Sequence, residues 1–198
     1  MNKTILSLTA FGVAVAAMAA FATAPSASDF TLPSSTGKQV SLADFKGKYV
    51  VLEWWNYQCP FVVKHYSSGN MQETQKELVE KGVVWLTIVS SKEGAQGYVT
   101  PEQANEIMKE KKGVPSFILH DPSGVVGKKY DAKTTPQVVL ISPAGEILYD
   151  GAIDSIPSSR IADLEVAENY LLRAFNEVSA GKPVSMPKTK PYGCNVKY

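Results

Sequence analysis

The pair Cys59-Pro60 is the first feature of the sequence that suggests chemistry. Proline favours the first position of a helix, where the missing N–H costs nothing. Cys59 then becomes the residue that caps the helix. A sulfur in that place faces unpaired N–H groups and the positive end of the helix dipole, and both stabilise a thiolate. Lowering a thiol pKa from about 8.5 to about 6.5 raises the thiolate fraction at pH 7 from about 3% to about 76%. The same shift costs about tenfold in intrinsic nucleophilicity and gains about tenfold in leaving ability. Such a cysteine is suited both to attack and to be released. The alternative is a buried, inert cysteine.

Glu53 stands six residues earlier, inside the apolar run Tyr49–Trp55. A carboxylate there is costly unless it is protonated or paired. Burial would raise its pKa and fit it to accept a proton from a thiol. An outward-facing or ion-paired glutamate is the alternative. Thr135-Pro136 opens a β-favouring run, and proline must start such a strand or lie at its edge. Cys194 follows Pro191-Tyr192-Gly193 near the end of the chain. The 13 residues from Lys182 to Cys194 span about 45 Å when extended, against a domain width of about 40 Å. Cys194 can therefore meet Cys59, within a chain or between two, as a resolving thiol or in a permanent bridge. Lys64 and His65 lie five and six residues past Cys59, offsets that point away from the cap and read as surface groups. His120, before Asp121-Pro122, reads as a loop residue.

The elements around these residues alternate in type. A small hairpin is expected from Phe30–Leu32 and Gln39–Leu42 around Ser34-Ser35-Thr36-Gly37. Tyr49–Trp55 reads as a buried central strand, Pro60 opens a helix, and a second helix covers about Asn70 to Lys81. Val83–Val89 reads as a strand. Thr100-Pro101-Glu102-Gln103 carries a helix cap, and Gly113 ends that helix. Ser116–Leu119 reads as a short strand, and Pro136–Ser142 with Glu146–Tyr149 as a hairpin. Ile161, Leu164, Ala167, Leu171, Phe175 and Val178 recur at helical spacing and predict a terminal amphipathic helix. The pattern is an α/β fold with a mixed central sheet, helices on both faces and an N-terminal β-hairpin. Reactive groups of open α/β sheets gather where strands end and helices begin, which is where Cys59 falls.

Composition bounds the function. The chain has 198 residues, with 20 Lys and Arg against 19 Asp and Glu, so there is no basic field for nucleic acid. Two cysteines and two histidines do not make a zinc set, and neither a metal site nor a cofactor is expected. Residues 1–22 have a positive start, an uncharged Ala- and Val-rich run and small residues before a cut after Ala22. They read as a signal peptide, with an uncleaved membrane anchor as the alternative. Either places the rest outside the cytoplasm, periplasmic or secreted, where disulfides persist. No stable membrane insertion is expected once the leader is cut. The remainder divides into a domain at residues 29–181 and a Pro/Lys-rich tail at 182–198 that carries Cys194.

The stretch Glu53-Trp54-Trp55-Asn56-Tyr57-Gln58-Cys59-Pro60 resembles the active-site segment of the thioredoxin-like superfamily. Cys59 matches its first, nucleophilic cysteine, Glu53 its buried acid, Trp55 its tryptophan, and Thr135-Pro136 the Thr/cis-Pro pair that faces the cysteine. Asp29-Phe30-Thr31-Leu32-Pro33 and Val40–Lys48 look like the redoxin branch, which holds the alkyl hydroperoxide reductase/thiol-specific antioxidant proteins. The second thioredoxin cysteine is replaced by Val62. The Thr or Ser that peroxiredoxins carry three residues before their cysteine is Asn56, and the only arginines are Arg160 and Arg173. The chain therefore looks like the peroxiredoxin-like subgroup with a single motif cysteine. Copper chaperones of the superfamily carry a cysteine pair four residues apart, and Trp55 and Val63 occupy those places here.

The resemblance implies a thioredoxin-like fold and an oxidoreductase that exchanges thiols and disulfides through Cys59. Glu53 would relay the proton and Cys194 would resolve the intermediate. Trp55, Asn56, Pro60, Thr135 and Pro136 would line the substrate groove. The partners would be a thiol or disulfide protein, or a peroxide, with an external thiol reductant. A thiol peroxidase with Cys194 resolving is the second reading. A non-catalytic binding module, using a groove around Trp54, Trp55 and Tyr57, is the third.

Overall fold

The structure is a computed structural model that describes residues 24–198. The expected leader, residues 1–22, lies outside the described residues. The hairpin forms as expected: β1 (Thr31–Pro33) pairs antiparallel with β2 (Gln39–Ser41), Leu32 opposite Val40. Then come β3 (Val50–Trp54), α1 (Pro60–Ser67), α2 (Asn70–Glu80), β4 (Val84–Val89), α3 (Pro101–Glu110) and β5 (Phe117–His120). They are followed by α4 (Val125–Lys129), β6 (Thr134–Thr135), β7 (Gln137–Ile141), β8 (Ile147–Gly151), α5 (Tyr170–Ser179) and β9 (Cys194–Asn195).

Five strands make the central sheet in the order β5-β4-β3-β7-β8. β3 runs parallel to β4 and β4 to β5, whereas β7 and β8 turn antiparallel, so the sheet is mixed. A strand covered on both sides must be apolar at every position, and β3 and β4 are nearly so. Val51, Trp85 and Leu140 meet Val62 of α1, Leu78 of α2, Met108 of α3 and Phe175 of α5 on one face. Leu52, Trp54, Leu86 and Ile88 meet Phe30 and Leu32 of the hairpin and Val126 of α4 on the other. Glu53 and Thr87 are the polar interruptions, paired across β3 and β4 on the first face. The Thr100 cap is as predicted: its hydroxyl accepts from the Gln103 amide at 3.3 Å, and Gln103 accepts from the Thr100 amide at 3.0 Å.

Two local expectations are corrected. The terminal helix starts at Tyr170, not near Ile161. Residues Ile161–Glu165 form only a short 3-10 turn, with Ile161 and Val166 exposed. Helical spacing there is overridden by backbone bonds from Ser155 to Glu168 (3.0 Å) and from Tyr170 to Ile153 (3.0 Å). The Asn169 side chain then caps α5 through the Leu172 amide at 3.0 Å. His120 closes β5 instead of lying in a loop. The tail is bonded along its length. It crosses the domain as a strap: Thr189 Oγ1 lies 2.6 Å from the Tyr149 hydroxyl and accepts from the Ala152 amide at 2.9 Å. Further on, the Val196 amide bonds Lys133 at 3.1 Å, and the Tyr198 hydroxyl bonds the Ala132 carbonyl at 2.8 Å.

Phe175 carries α5 onto the sheet, with its ring 5.5 Å from that of Tyr49 at a near-perpendicular angle. Phe175→Ala removes a buried ring where the fold cannot collapse, and is expected to cost about 3–5 kcal/mol. Urea unfolding reads this as a lower midpoint at unchanged slope.

Candidate active site

Cys59 occupies the N-cap of α1 with an extended backbone, φ −72° and ψ 123°, and Pro60 is the first helical residue. The turn from β3 is closed by the Cys59 amide on the Asn56 carbonyl at 3.0 Å. The side chain is fully buried although Pro60 beside it is exposed. Its thiol donates to the Thr135 carbonyl at 3.0 Å. Thr135, whose bond to Pro136 is cis, pairs in turn with Cys194 across β6 and β9. The strap fits this closely because residue 193 is glycine. A Cβ there would come within 2.0 Å of the Thr135 carbonyl oxygen, at a φ of +135°. Cys59, Thr135, Pro136 and Cys194 are thus brought together, as the spacing alone did not require.

The two thiols differ in ionisation. Burial pushes the Cys59 pKa up, but hydrogen bonds from the Cys194 thiol, from Thr135 and from the Cys194 and Val62 amides outweigh it, and the net shift is downward. The Val62 amide faces the sulfur from the helix terminus and adds the smallest of these effects, without closing a side-chain cap hydrogen bond. Burial first, and then the Cys59 sulfur, push the Cys194 thiol up to about 11. Cys59 is therefore the more readily ionised thiol and Cys194 the one that keeps its proton.

Glu53 is wholly buried and, among the described residues, carries no cation partner. Its Oε2 accepts from Trp85 Nε1 at 2.9 Å, Thr87 Oγ1 at 2.9 Å, Tyr66 Oη at 3.1 Å and Gln75 Nε2 at 3.4 Å. Gln75 is oriented for this by the Val114 amide, which donates to its carbonyl oxygen at 2.9 Å. Burial raises the Glu53 pKa, and the four donors only partly offset it. Among the described residues none of its hydrogen bonds reaches Cys59. Trp55 is buried against Tyr57 and Tyr66, with ring separations of 6.0 and 6.4 Å. Asn56 is buried too, its Oδ1 accepting from the Gln58 amide at 2.9 Å. Trp54 and Trp55 are 0% and 2% exposed, so they line no open groove, contrary to the expectation for a binding module.

Lys64 and His65 are the largest correction. Both are buried, at 1% and 0% exposure, because the loop after β8 and the strap cover that side of α1. Lys64 Nζ donates to Asp154 Oδ2 at 2.8 Å, to the Ile156 carbonyl at 3.2 Å and to the Tyr192 hydroxyl at 3.3 Å. His65 Nε2 lies 3.6 Å from Asp154, and Nδ1 lies 2.8 Å from Asn70 Oδ1. Burial keeps the His65 pKa below its ordinary value. Asp154 and Tyr192 were not singled out from the sequence. The available signal was Asp154 within the apolar segment Ala152–Ile156, read like Glu53. Neither arginine approaches the thiol: Arg160 pairs with Asp163 at 2.7 Å and Arg173 with Glu168 at 3.0 Å.

The AhpC/TSA family profile matches residues 24–150. The chain belongs to the AhpC/TSA family. Among individual relatives, it is 26% identical over 124 residues to the thiol-disulfide oxidoreductase ResA of Bacillus subtilis, covering 62% of this chain and 63% of that protein. The chain thus spans less than two thirds of that relative's length. A hypothetical protein from Sinorhizobium meliloti 1021 superposes with a TM-score of 0.73 at 25% identity, over 91% of this chain and 96% of that one. The thioredoxin domain of a thiol-disulfide oxidoreductase from Bacteroides vulgatus superposes with a TM-score of 0.51 at 23% identity, over 74% of this chain and 98% of that domain. The fold of this AhpC/TSA member is thioredoxin-like, as the resemblance implied.

The raised Glu53 pKa has a measurable sign. The folded chain holds this proton above the value of about 4.3 at which the unfolded chain loses it. Its contribution to stability is therefore greatest below that value and is lost as pH rises to the folded pKa. Glu53→Gln keeps the shape and removes the titration. The stability difference between variant and wild type is expected to move in favour of glutamine across that window, in urea titrations at a series of pH values. A constant difference would show that Glu53 is not raised.

Proposed function

We propose that this chain is an exported thiol-dependent oxidoreductase that exchanges thiols and disulfides through Cys59, with Cys194 as resolving cysteine. The observation that carries this reading is the unequal thiol pair held across Thr135: a low-pKa sulfur at a helix terminus and a protonated one on the strap. Family membership and the name of the Bacillus subtilis relative support the same reaction class. The leader pattern of residues 1–22 supports export.

The Cys59 thiolate attacks one sulfur of a substrate disulfide and expels the other as a thiolate. Cys194 then loses its proton and attacks the Cys59 sulfur, releasing the substrate's second sulfur as a thiol. Two protein thiols end as one disulfide, and one substrate disulfide ends as two thiols. An external thiol reverses the oxidation. Two of the causes that hold the Cys194 proton come from the Cys59 sulfur. They disappear when Cys59 is bonded to substrate, so the resolving thiol is readied by the first step. We assign Glu53 as the eventual proton acceptor, a role supported by its burial and raised pKa in the strand that leads to Cys59. Thr135 lies against the sulfur, Pro136 follows it across the cis bond, and Pro60 is the exposed residue beside Cys59.

The peroxidase reading is weaker. It requires charged donors around Cys59 that steady a peroxide, and both arginines are engaged elsewhere, Arg160 with Asp163 and Arg173 with Glu168. The expected result is that Cys59→Ser abolishes exchange with hydroxyethyl disulfide. Cys194→Ser should leave a mixed disulfide on Cys59 that intact mass detects. Hydrogen peroxide should oxidise Cys59 no faster than a free thiol at equal thiolate fraction. Unchanged exchange in Cys59→Ser overturns the assignment.

A further inference from the structure

Lys64, His65 and Asp154 form a buried polar cluster that the exchange chemistry does not use, and its fourth member, Tyr192, comes from the strap. The Tyr192 hydroxyl donates to Asp154 Oδ1, accepts from Lys64 Nζ at 3.3 Å and lies 3.5 Å from His65 Nε2. Asp154 Oδ1 also accepts from the Ile156 amide at 3.0 Å. The Tyr192 ring packs edge-on against Phe61 of α1 at 5.7 Å. Lys64 therefore has three partners for three donors, and one of the three is lost when the strap lifts. A buried ammonium left short of a partner is costly, so the cluster favours the closed strap. Two residues beyond Tyr192, Cys194 is set against Thr135 over Cys59.

We infer that this cluster is a latch, in which Tyr192 and Asp154 are positioning residues that hold the strap closed and so present Cys194 to Cys59. The inference rests on the exchange reading only for its purpose, since the latch itself is tested without any disulfide. Because Cys59 has no exposed surface, a reagent reaches its sulfur only while the strap is open. Its modification rate then measures the open fraction. The same latch restricts the active thiol: a folded polypeptide disulfide must open the strap, whereas the mixed disulfide, once formed, is resolved faster the more firmly the strap returns.

The test uses the purified protein with Cys194→Ser, so that Cys59 is the sole thiol, and iodoacetamide as probe. Rates are taken across pH to separate thiolate fraction from access. Tyr192→Phe removes a hydroxyl that bonds a buried carboxylate and is expected to raise the limiting rate about tenfold. The rate should not rise further with low urea, which distinguishes strap opening from global unfolding. Gly193→Ala, whose Cβ collides with the Thr135 carbonyl, keeps the buried charges intact and should reach at least the same rate. In chains that retain Cys194, Tyr192→Phe should slow the conversion of the hydroxyethyl mixed disulfide to the Cys59–Cys194 disulfide. A limiting rate equal to that of the parent in both strap variants overturns the latch. A faster rate in a protein that never forms the Cys59–Cys194 disulfide supports the latch and overturns the resolving role of Cys194 instead.

Discussion

Two residues of antiparallel pairing, Thr134–Thr135 against Cys194–Asn195, bring the second thiol to the first. So short a ladder is not self-sustaining. It persists because residues on either side of it are tied down: Thr189 and Tyr192 before it, Val196 and Tyr198 after it. The central sheet and α1 fix Cys59, but everything that makes the site a pair depends on that seam. Burial of Cys59, the shift of both thiols and the filling of the Lys64 cluster all follow from it.

The contrast between the two buried acids is instructive. Glu53 is surrounded by neutral donors and meets no cation among the described residues, so burial wins and its pKa rises. Asp154 is met by the Lys64 ammonium at 2.8 Å. The first is an acid held by neutral donors within the strand that leads to Cys59. The second belongs to a charge-balanced joint between helix and strap. Sequence context is apolar for both, and what separates them is the partner that the fold delivers.

That partner explains what could be read in advance. The cap at Cys59-Pro60, the capping box at Thr100 and Gln103, and the apolar strands around Glu53 are decided by neighbours within a few residues, so local rules suffice. The burial of Lys64 is decided by Asp154 and Tyr192, 90 and 128 residues away, and helical geometry alone pointed it to solvent. The segment from Ile161 to Val166 has the spacing of a helix but buries no residue of its 3-10 turn, and just beyond it Glu168 and Tyr170 pair with Ser155 and Ile153 instead of continuing a helix. Cys194 could be shown to reach Cys59, whereas its seating beside Thr135 depended on a glycine at 193 whose need only the structure displays.

The position of the two cysteines has a thermodynamic side. A bridge from Cys59 to Cys194 encloses all five helices and four of the five central strands. Closing a loop of that length would confine the unfolded chain and add about 5 kcal/mol to the fold in the entropic treatment. Linkage makes the same quantity a redox term: it corresponds to about 100 mV of added resistance to reduction relative to the unfolded chain. Folding and redox poise are thus one equilibrium seen from two sides. The gap in unfolding free energy between oxidised and reduced protein is a direct reading of how strongly the fold itself drives the pair toward the disulfide.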